Sequence, residues 1–291
     1  MAKRSKRHGK GDDGTATPLD PAACAHLLNV SRETIHLFEE YLTLLAEWQK
    51  AINLVADSTL TDPWRRHILD CGQICDLIPA RARRLVDIGS GAGLPGLVLA
   101  IMGSERDNLP DIHLVESDSK KCAFLRTAIR QLGVSATVHE TRAEEMPDEP
   151  FDVVTARALA PVERLFTVAA PLLARDGIGL FLKGKSVDSE LSAGRDGWSF
   201  QMRKETSRSD SQGVILVVEA LAPRQDHMDP GDSGGPVVRT LASAPAGHAT
   251  DRKEAGRREA GRQETGRQAA NQQTARSLPA SPKSTKPVKK G

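Results

Sequence analysis

Apolar and polar positions follow two rhythms along this chain. Short apolar runs recur at residues 85–88, 112–116, 136–139, 151–157 and 179–183, and such runs predict buried strands. Between them apolar residues return every third or fourth position, the period of a helix packed on one face. One such helix opens after Ser117 and Asp118, carries Phe124, Leu125, Ala128, Ile129 and Leu132 on one side, and closes at Gly133, a residue suited to the left-handed C-cap. Another begins at Pro161 and runs to residue 173. Residues 198–203 and 214–218 predict a closing antiparallel pair. Upstream, Ile35, Phe38, Leu42, Leu45 and Trp48 mark an amphipathic helix, and Trp64, Ile68, Cys71 and Leu77 mark a second that ends before Pro79. Repeated strand–helix alternation predicts a mainly parallel sheet covered on both faces, an α/β three-layer sandwich. The patterned region, residues 18–223, is long enough for one domain with a sizeable core. Its N-terminal helices (18–80) are expected to pack on the α/β core (81–223).

The candidate chemistry lies where the first strand meets its helix. Val86-Asp87-Ile88 ends in Gly89-Ser90-Gly91-Ala92-Gly93-Leu94-Pro95-Gly96. A glycine turn between strand and helix is where doubly wound sheets bind nucleotide-like cofactors. Gly91, Gly93 and Gly96 match the dinucleotide fingerprint, a weak signal alone. Pro95 argues against a dinucleotide, because proline has no N–H to offer a pyrophosphate at the helix N-terminus. A cofactor with a carboxylate and a ribose but no phosphate loses less, and S-adenosylmethionine fits that description. Glu116, ending the second strand, is placed to accept hydrogen bonds from ribose hydroxyls. These features specify a Rossmann-like, class I S-adenosylmethionine-dependent methyltransferase fold and disfavour a dehydrogenase. Asn53-Leu54-Val55 and the segment 65–70 are expected at the mouth of the site. His67 near Asp70 reads as a helix-surface hydrogen bond in preference to a catalytic pair.

The combination of Asn53-Leu54, Arg66-His67-Ile68-Leu69-Asp70, the glycine loop 86–96, Glu116-Ser117, Arg157-Ala158 and Leu182-Lys183-Gly184 resembles the bacterial RsmG (GidB) family over roughly residues 19–220. The resemblance implies methyl transfer from S-adenosylmethionine to N7 of a guanine in 16S ribosomal RNA, with the RNA or the 30S subunit as partner. It places the cofactor against Gly89 and Leu94, to which the glycine-turn reading adds Gly91 and Gly93, with Glu116 on the ribose, Ala143 and Glu144 near the adenine, and Arg157 after the fourth strand. Glu116 stands where the family usually has aspartate, and Ser209-Asp210-Ser211-Gln212-Gly213 replaces a charged stretch common in the family. Guanine N7 carries a lone pair and no proton, so no general base is required and no catalytic side chain is assigned. Placement of nucleophile and methyl group is the main need. The chain lacks both the proline-rich string typical of amine methylation and a Pro-Cys pair for pyrimidine C5. Arg157 is expected to pair with the cofactor carboxylate or an RNA phosphate. A methyltransferase of another RNA or of a small molecule, or a non-catalytic RNA-binding assembly factor, remains an alternative.

Charge changes the picture only when divided. Residues 1–17 hold five Lys or Arg against two acids, residues 224–291 hold thirteen against seven, and residues 18–223 hold 22 against 29. The core is thus acidic, net −7, between basic tails of +3 and +6. Either a basic face (Arg65, Arg66, Lys120, Lys121, Lys183, Lys185) or the tails must meet RNA phosphates. Both tails, the second with a five-residue repeat after Glu254, read as disordered. Four cysteines without ligand spacing predict small packing residues, no metal site and a reducing compartment. No apolar run reaches membrane-spanning length. The expectation is a cytoplasmic monomer.

Overall fold

In the computed structural model, which describes residues 17–224 apart from positions 107, 148 and 195, the chain begins with helices α1 (Pro21–Leu28) and α2 (Arg32–Gln49). Asp20 and Ser31 cap them by accepting from the N–H groups of Ala23 and Thr34, the usual role of these residue types. On α2 the fully buried positions include Phe38, Tyr41 and Leu45, whereas Ile35, Leu42 and Trp48 are half-buried. The buried stripe is therefore rotated toward Tyr41.

The second expected helix is not one regular helix. A π-helical turn (Trp64–Leu69), an α-turn, α3 (Asp70–Gly72), and a 3-10 turn (Gln73–Leu77) follow one another. All of residues 67–69 and 71–75 are buried, flanked by α1, α4 (Gly96–Gly103) and the loop around Ser207. Partners on several sides, and not one apolar stripe, set this winding.

The sheet has order β3-β2-β1-β4-β5-β7-β6. Its parallel strands are β1 (Arg84–Ile88), β2 (Asp111–Glu116), β3 (Thr137–Glu140), β4 (Phe151–Arg157) and β5 (Leu173–Lys183), and β6 (Trp198–Thr206) and β7 (Val214–Pro223) close it antiparallel. Helices α5 (Ser119–Leu132), α6 (Val162–Ala169) and α7 (Val187–Gly194) complete the layers. Gly133 takes the left-handed cap of α5 at φ 65°. Several boundaries differ from expectation: β6 and β7 run on to Thr206 and Pro223, past the expected ends at 203 and 218, and β3 lies one residue later. The helix after Pro161 stops at Ala169, and β5 starts at Leu173, where it already pairs with Phe151 before a register shift.

Alternate residues of the strands feed two cores. Leu85, Leu114, Val153 and Leu180 pack under the N-terminal helices, α4 and α5. Val86, Ile88, Val115, Val154 and Phe181 pack under α6 and α7. This is the expected three-layer sandwich of Rossmann-like class I methyltransferases, and all described residues belong to one compact unit. Strand order reverses between β1 and β4, so a crevice opens beyond their C-terminal ends, where ligands of such sheets bind. No helix among the described residues is long and apolar enough to cross a membrane.

Candidate functional site

That crevice is a cavity of about 620 Å³ lined by the loop after β1, the ends of β2 and β4, and the turn after β3. Gly89, Gly91, Leu94, Glu116, Ala143, Glu144 and Arg157 all line it. Gly93 does not; its backbone packs against Leu97 and Leu125. Gly89 and Gly91 have φ of +67° and +55°, conformations that cost L side chains free energy. A Cβ on Gly89 would lie 2.4 Å from Leu159, whereas one on Gly91 would have nothing closer than 3.9 Å. At Gly89 a side chain would have to displace the exposed end of Leu159, so its positive φ is the firmer reason for glycine there, and Gly91 faces open space.

Three carboxylate and hydroxyl braces hold this loop. Glu116 Oε2 accepts from Gly91 N (3.0 Å) and its Oε1 from Asp118 N (2.9 Å). Asp87 has no solvent exposure, and its oxygens accept from Gly96 N (3.1 Å) and Thr155 Oγ1 (3.0 Å). Burial pushes the Asp87 carboxyl up to about 7, against the pull of these donors. The Tyr41 hydroxyl reaches from α2 to donate to Ala92 O at 2.8 Å. Neither Tyr41 nor Asp87 was among the expected site residues. That Tyr41 is the only tyrosine of the chain, on an apolar face, was the available signal.

The start of α4 offers few donors to a phosphate. Pro95 has no N–H, Gly96 N is bound to Asp87, and Leu97 N donates to Gly93 O at 2.8 Å.

Arg157 is the junction of the site. Its Nη1 donates to Arg66 O (2.9 Å) and lies 3.4 Å from Asp70 Oδ2, while Nη2 lies 3.3 Å from His67 Nδ1. A guanidinium only donates, so His67 Nδ1 is the acceptor, and by this network its proton sits on Nε2, which faces Thr59 Oγ1 at 3.1 Å. Burial, with Arg157 and Arg66 nearby, pushes His67 down to about 3. His67 is therefore a buried neutral ring, and it and Asp70 meet at Arg157, not on a helix surface as the sequence suggested. Thr59, with Leu54, Val55 and Ala56, also walls the cavity, as expected for Leu54 and Val55. Asn53 is not among the lining residues. Glu144 pairs with Arg164 across the opposite rim at 3.1 Å.

Arg157, Ala158 and Ala160 are shared with a second cavity of about 460 Å³. Arg66, Asp70, Lys183, Glu190 and Asp210 contribute its charged lining. Lys183 Nζ donates to Ala160 O at 2.8 Å and pairs with Glu190 at 2.6 Å, fixing the loop after β4. All four cysteines are buried free thiols, and burial holds Cys71 and Cys24 up at about 12. Among the described residues no cluster of three or more His, Cys, Asp or Glu could hold a metal ion.

A sequence profile described as rRNA small subunit methyltransferase G matches residues 34–214. Proteins named Ribosomal RNA small subunit methyltransferase G are similar over most of their length. That of Parvibaculum lavamentivorans is 48% identical over 205 residues, covering 70% of this chain and 90% of that one. That of Rhodospirillum rubrum is 48% identical over 200 residues, covering 69% and 97%. Among solved structures, a SAM dependent methyltransferase from Aquifex aeolicus aligns with a TM-score of 0.43 at 14% identity, covering 56% of this chain and 95% of that one.

Proposed function

The chain belongs to the rRNA small subunit methyltransferase G (GidB) family, and on that premise we propose that it transfers a methyl group from S-adenosylmethionine to N7 of a guanine in 16S rRNA. The observation that carries the reading is the cavity at the strand-order reversal, walled by the glycine loop, Glu116 and the Ala143–Glu144 turn. Its 620 Å³ falls within the ~300–1,000 Å³ of small-molecule sites. Open space over Gly91 lets a ligand approach the backbone. Each Glu116 oxygen already accepts one backbone N–H, and a carboxylate has about four lone-pair sites, so two remain for a ribose diol. The consumed donors at the start of α4 favour a cofactor without pyrophosphate.

Bound S-adenosylmethionine supplies an activated methyl group. The protein's work is placement: the glycine loop and Glu116 hold the donor, Ala143 and Glu144 flank its base, and the loop after β4 borders the path to the nucleophile. The N7 lone pair has no proton to remove, so no side chain is assigned as a base. We take residues 18–223 as the methyltransferase domain, acting as a cytoplasmic monomer on 16S rRNA or the 30S subunit. Incubation with labelled S-adenosylmethionine and 16S rRNA or 30S particles from a strain lacking the modification tests this. Label at N7 of a single guanine is expected; no transfer to N7 in either substrate would overturn the reading.

A further inference from the structure

The turn between β6 and β7 brings Asp210 into the lining of the second cavity. Asp210 Oδ2 accepts from Arg66 Nη1 at 2.9 Å, and its Oδ1 accepts from Gln212 N, also at 2.9 Å. Ser209 Oγ donates to Asp70 Oδ1, which ties the same loop to the Arg157 junction. The Gln212 N–H and the Arg66 guanidinium hold the Asp210 carboxyl below its ordinary range, so it is a charged acceptor at neutral pH. Arg66 Nη1 is the only guanidinium atom of that residue bonded to Asp210, so the fork retains further N–H donors.

We propose that this pair reads the target guanine: Asp210 accepts from guanine N1–H and the 2-amino group, and Arg66 donates to O6. The proposal deepens the N7 reading above and rests on it. For N7 to face the donor cavity across Arg157 and Ala158, N1 and the 2-amino group, on the far side of the purine, must point toward the second cavity, which shares those lining residues, with O6 beside them on the Watson–Crick edge. That edge carries two adjacent donors and one acceptor. A carboxylate held against a guanidinium presents the complementary set, two acceptor oxygens beside a donor. Both side chains are about half-exposed, 45% for Arg66 and 39% for Asp210, so their remaining sites can be reached. Adenine in the same place would turn its N1 lone pair to the carboxylate and its amino group to the guanidinium, two like-facing contacts. A site built to bond these polar groups rejects a base that lacks them, because its own groups are then left unpaired. The cavity's other two ion pairs have partners of their own: Lys183 Nζ donates to the Ala160 carbonyl and pairs with Glu190, which accepts from Ser186 Oγ, and Arg157 with Asp70 forms the junction between the cavities.

The test uses the full chain, 30S particles carrying guanine or inosine at the target position, and Asp210→Asn beside the wild type. Inosine keeps N7, O6 and N1–H but lacks the 2-amino group. For wild type, kcat/KM is expected to fall about tenfold on inosine. Asp210→Asn should lower kcat/KM on guanine tenfold or more and abolish the preference for guanine over inosine, with donor affinity by calorimetry within about twofold. A variant that keeps the wild-type preference, or a wild type indifferent to the 2-amino group, overturns the proposal. The wild-type comparison needs no folded variant, and Arg66→Lys, which keeps the charge but loses the fork, is expected to lower kcat/KM on both bases. Failure of wild type to methylate guanine at all would instead overturn the N7 reading.

Discussion

Asp87 couples the glycine loop to solution pH although it touches no solvent. Its carboxyl is displaced from the ordinary 3.8 up to about 7 by burial. Between those values the folded chain keeps a proton that the unfolded chain has released, so this residue makes stability fall as pH rises from about 4 to about 7. His67 acts with the opposite sign: held at about 3 against 6.5, it stays neutral when folded, and its contribution is lost as pH falls from 6.5 toward 3. Asp87→Asn can still accept from Gly96 N–H and donate to the Thr155 hydroxyl, which reverses. The variant should therefore gain stability relative to wild type between pH 5 and pH 8, read as the difference in Tm at the two values; a pH-independent difference would contradict the assignment. Gly91→Val adds a side chain at φ +55° where space is open. It should cost about 1–3 kcal/mol yet leave the fold, while abolishing donor binding by calorimetry. Retained affinity would misplace the donor. The place of Gly91 and Glu116 at the cavity could be read from sequence because it follows from local position: a turn after a strand, an acid at the end of the next. The contacts of Tyr41, Asp70 and Asp210 could not, since their partners Ala92, Ser209 and Arg66 lie 51, 139 and 144 residues away, and no local spacing records such a pair.

Among the elements, the parallel strands were legible because burial on both faces demands continuous apolar runs. Helix α7, with sequence VDSELSAG, has too few apolar positions to show a period, and α1 is only two turns long; neither was anticipated. The 64–77 segment failed as a regular helix for a different reason: its neighbours on several sides, not its own pattern, decide its pitch. The same segment turns His67 and Asp70 toward β4, and π-turns of this kind recur at functional sites. The N-terminal helices are thus part of the site and not merely a cover for the sheet. Tyr41→Phe tests that at the level of the α2–loop contact. Removing the hydroxyl leaves the buried Ala92 carbonyl without its donor and should cost about 1–3 kcal/mol. Because that carbonyl belongs to the glycine loop proposed to hold the donor, weaker donor binding should accompany the loss of stability. A destabilised variant with unchanged donor affinity would mean that α2 supports the fold alone.

At the scale of the whole chain the unsolved matter is how an acidic domain meets a polyanion. Half of the candidate basic face is paired with acids of the same chain. Arg65 pairs with Asp62, Arg66 with Asp210 and Lys183 with Glu190, leaving Lys120, Lys121 and Lys185 of the original six. Residues 18–223 still carry 29 acids against 22 Lys or Arg, so long-range steering by this part disfavours RNA approach. The basic tails lie outside the described residues, apart from positions 17 and 224; by sequence, 224–291 carries thirteen Lys or Arg against seven acids. Phosphate neutralisation releases counterions, so each contact adds roughly 0.7–0.9 to the slope of log affinity against log salt. Deleting residues 225–291 should therefore weaken binding to 16S rRNA or 30S particles at low salt and make that slope shallower. Donor affinity should not change, since the donor cavity is lined entirely by residues between Leu54 and Val168. At high salt the intact and truncated chains should converge, because what the tail adds is screened. An unchanged affinity and slope would place RNA binding wholly in the folded part, where Lys120, Lys121 and Lys185 are the candidate-face residues without a salt bridge to an acid among the described residues.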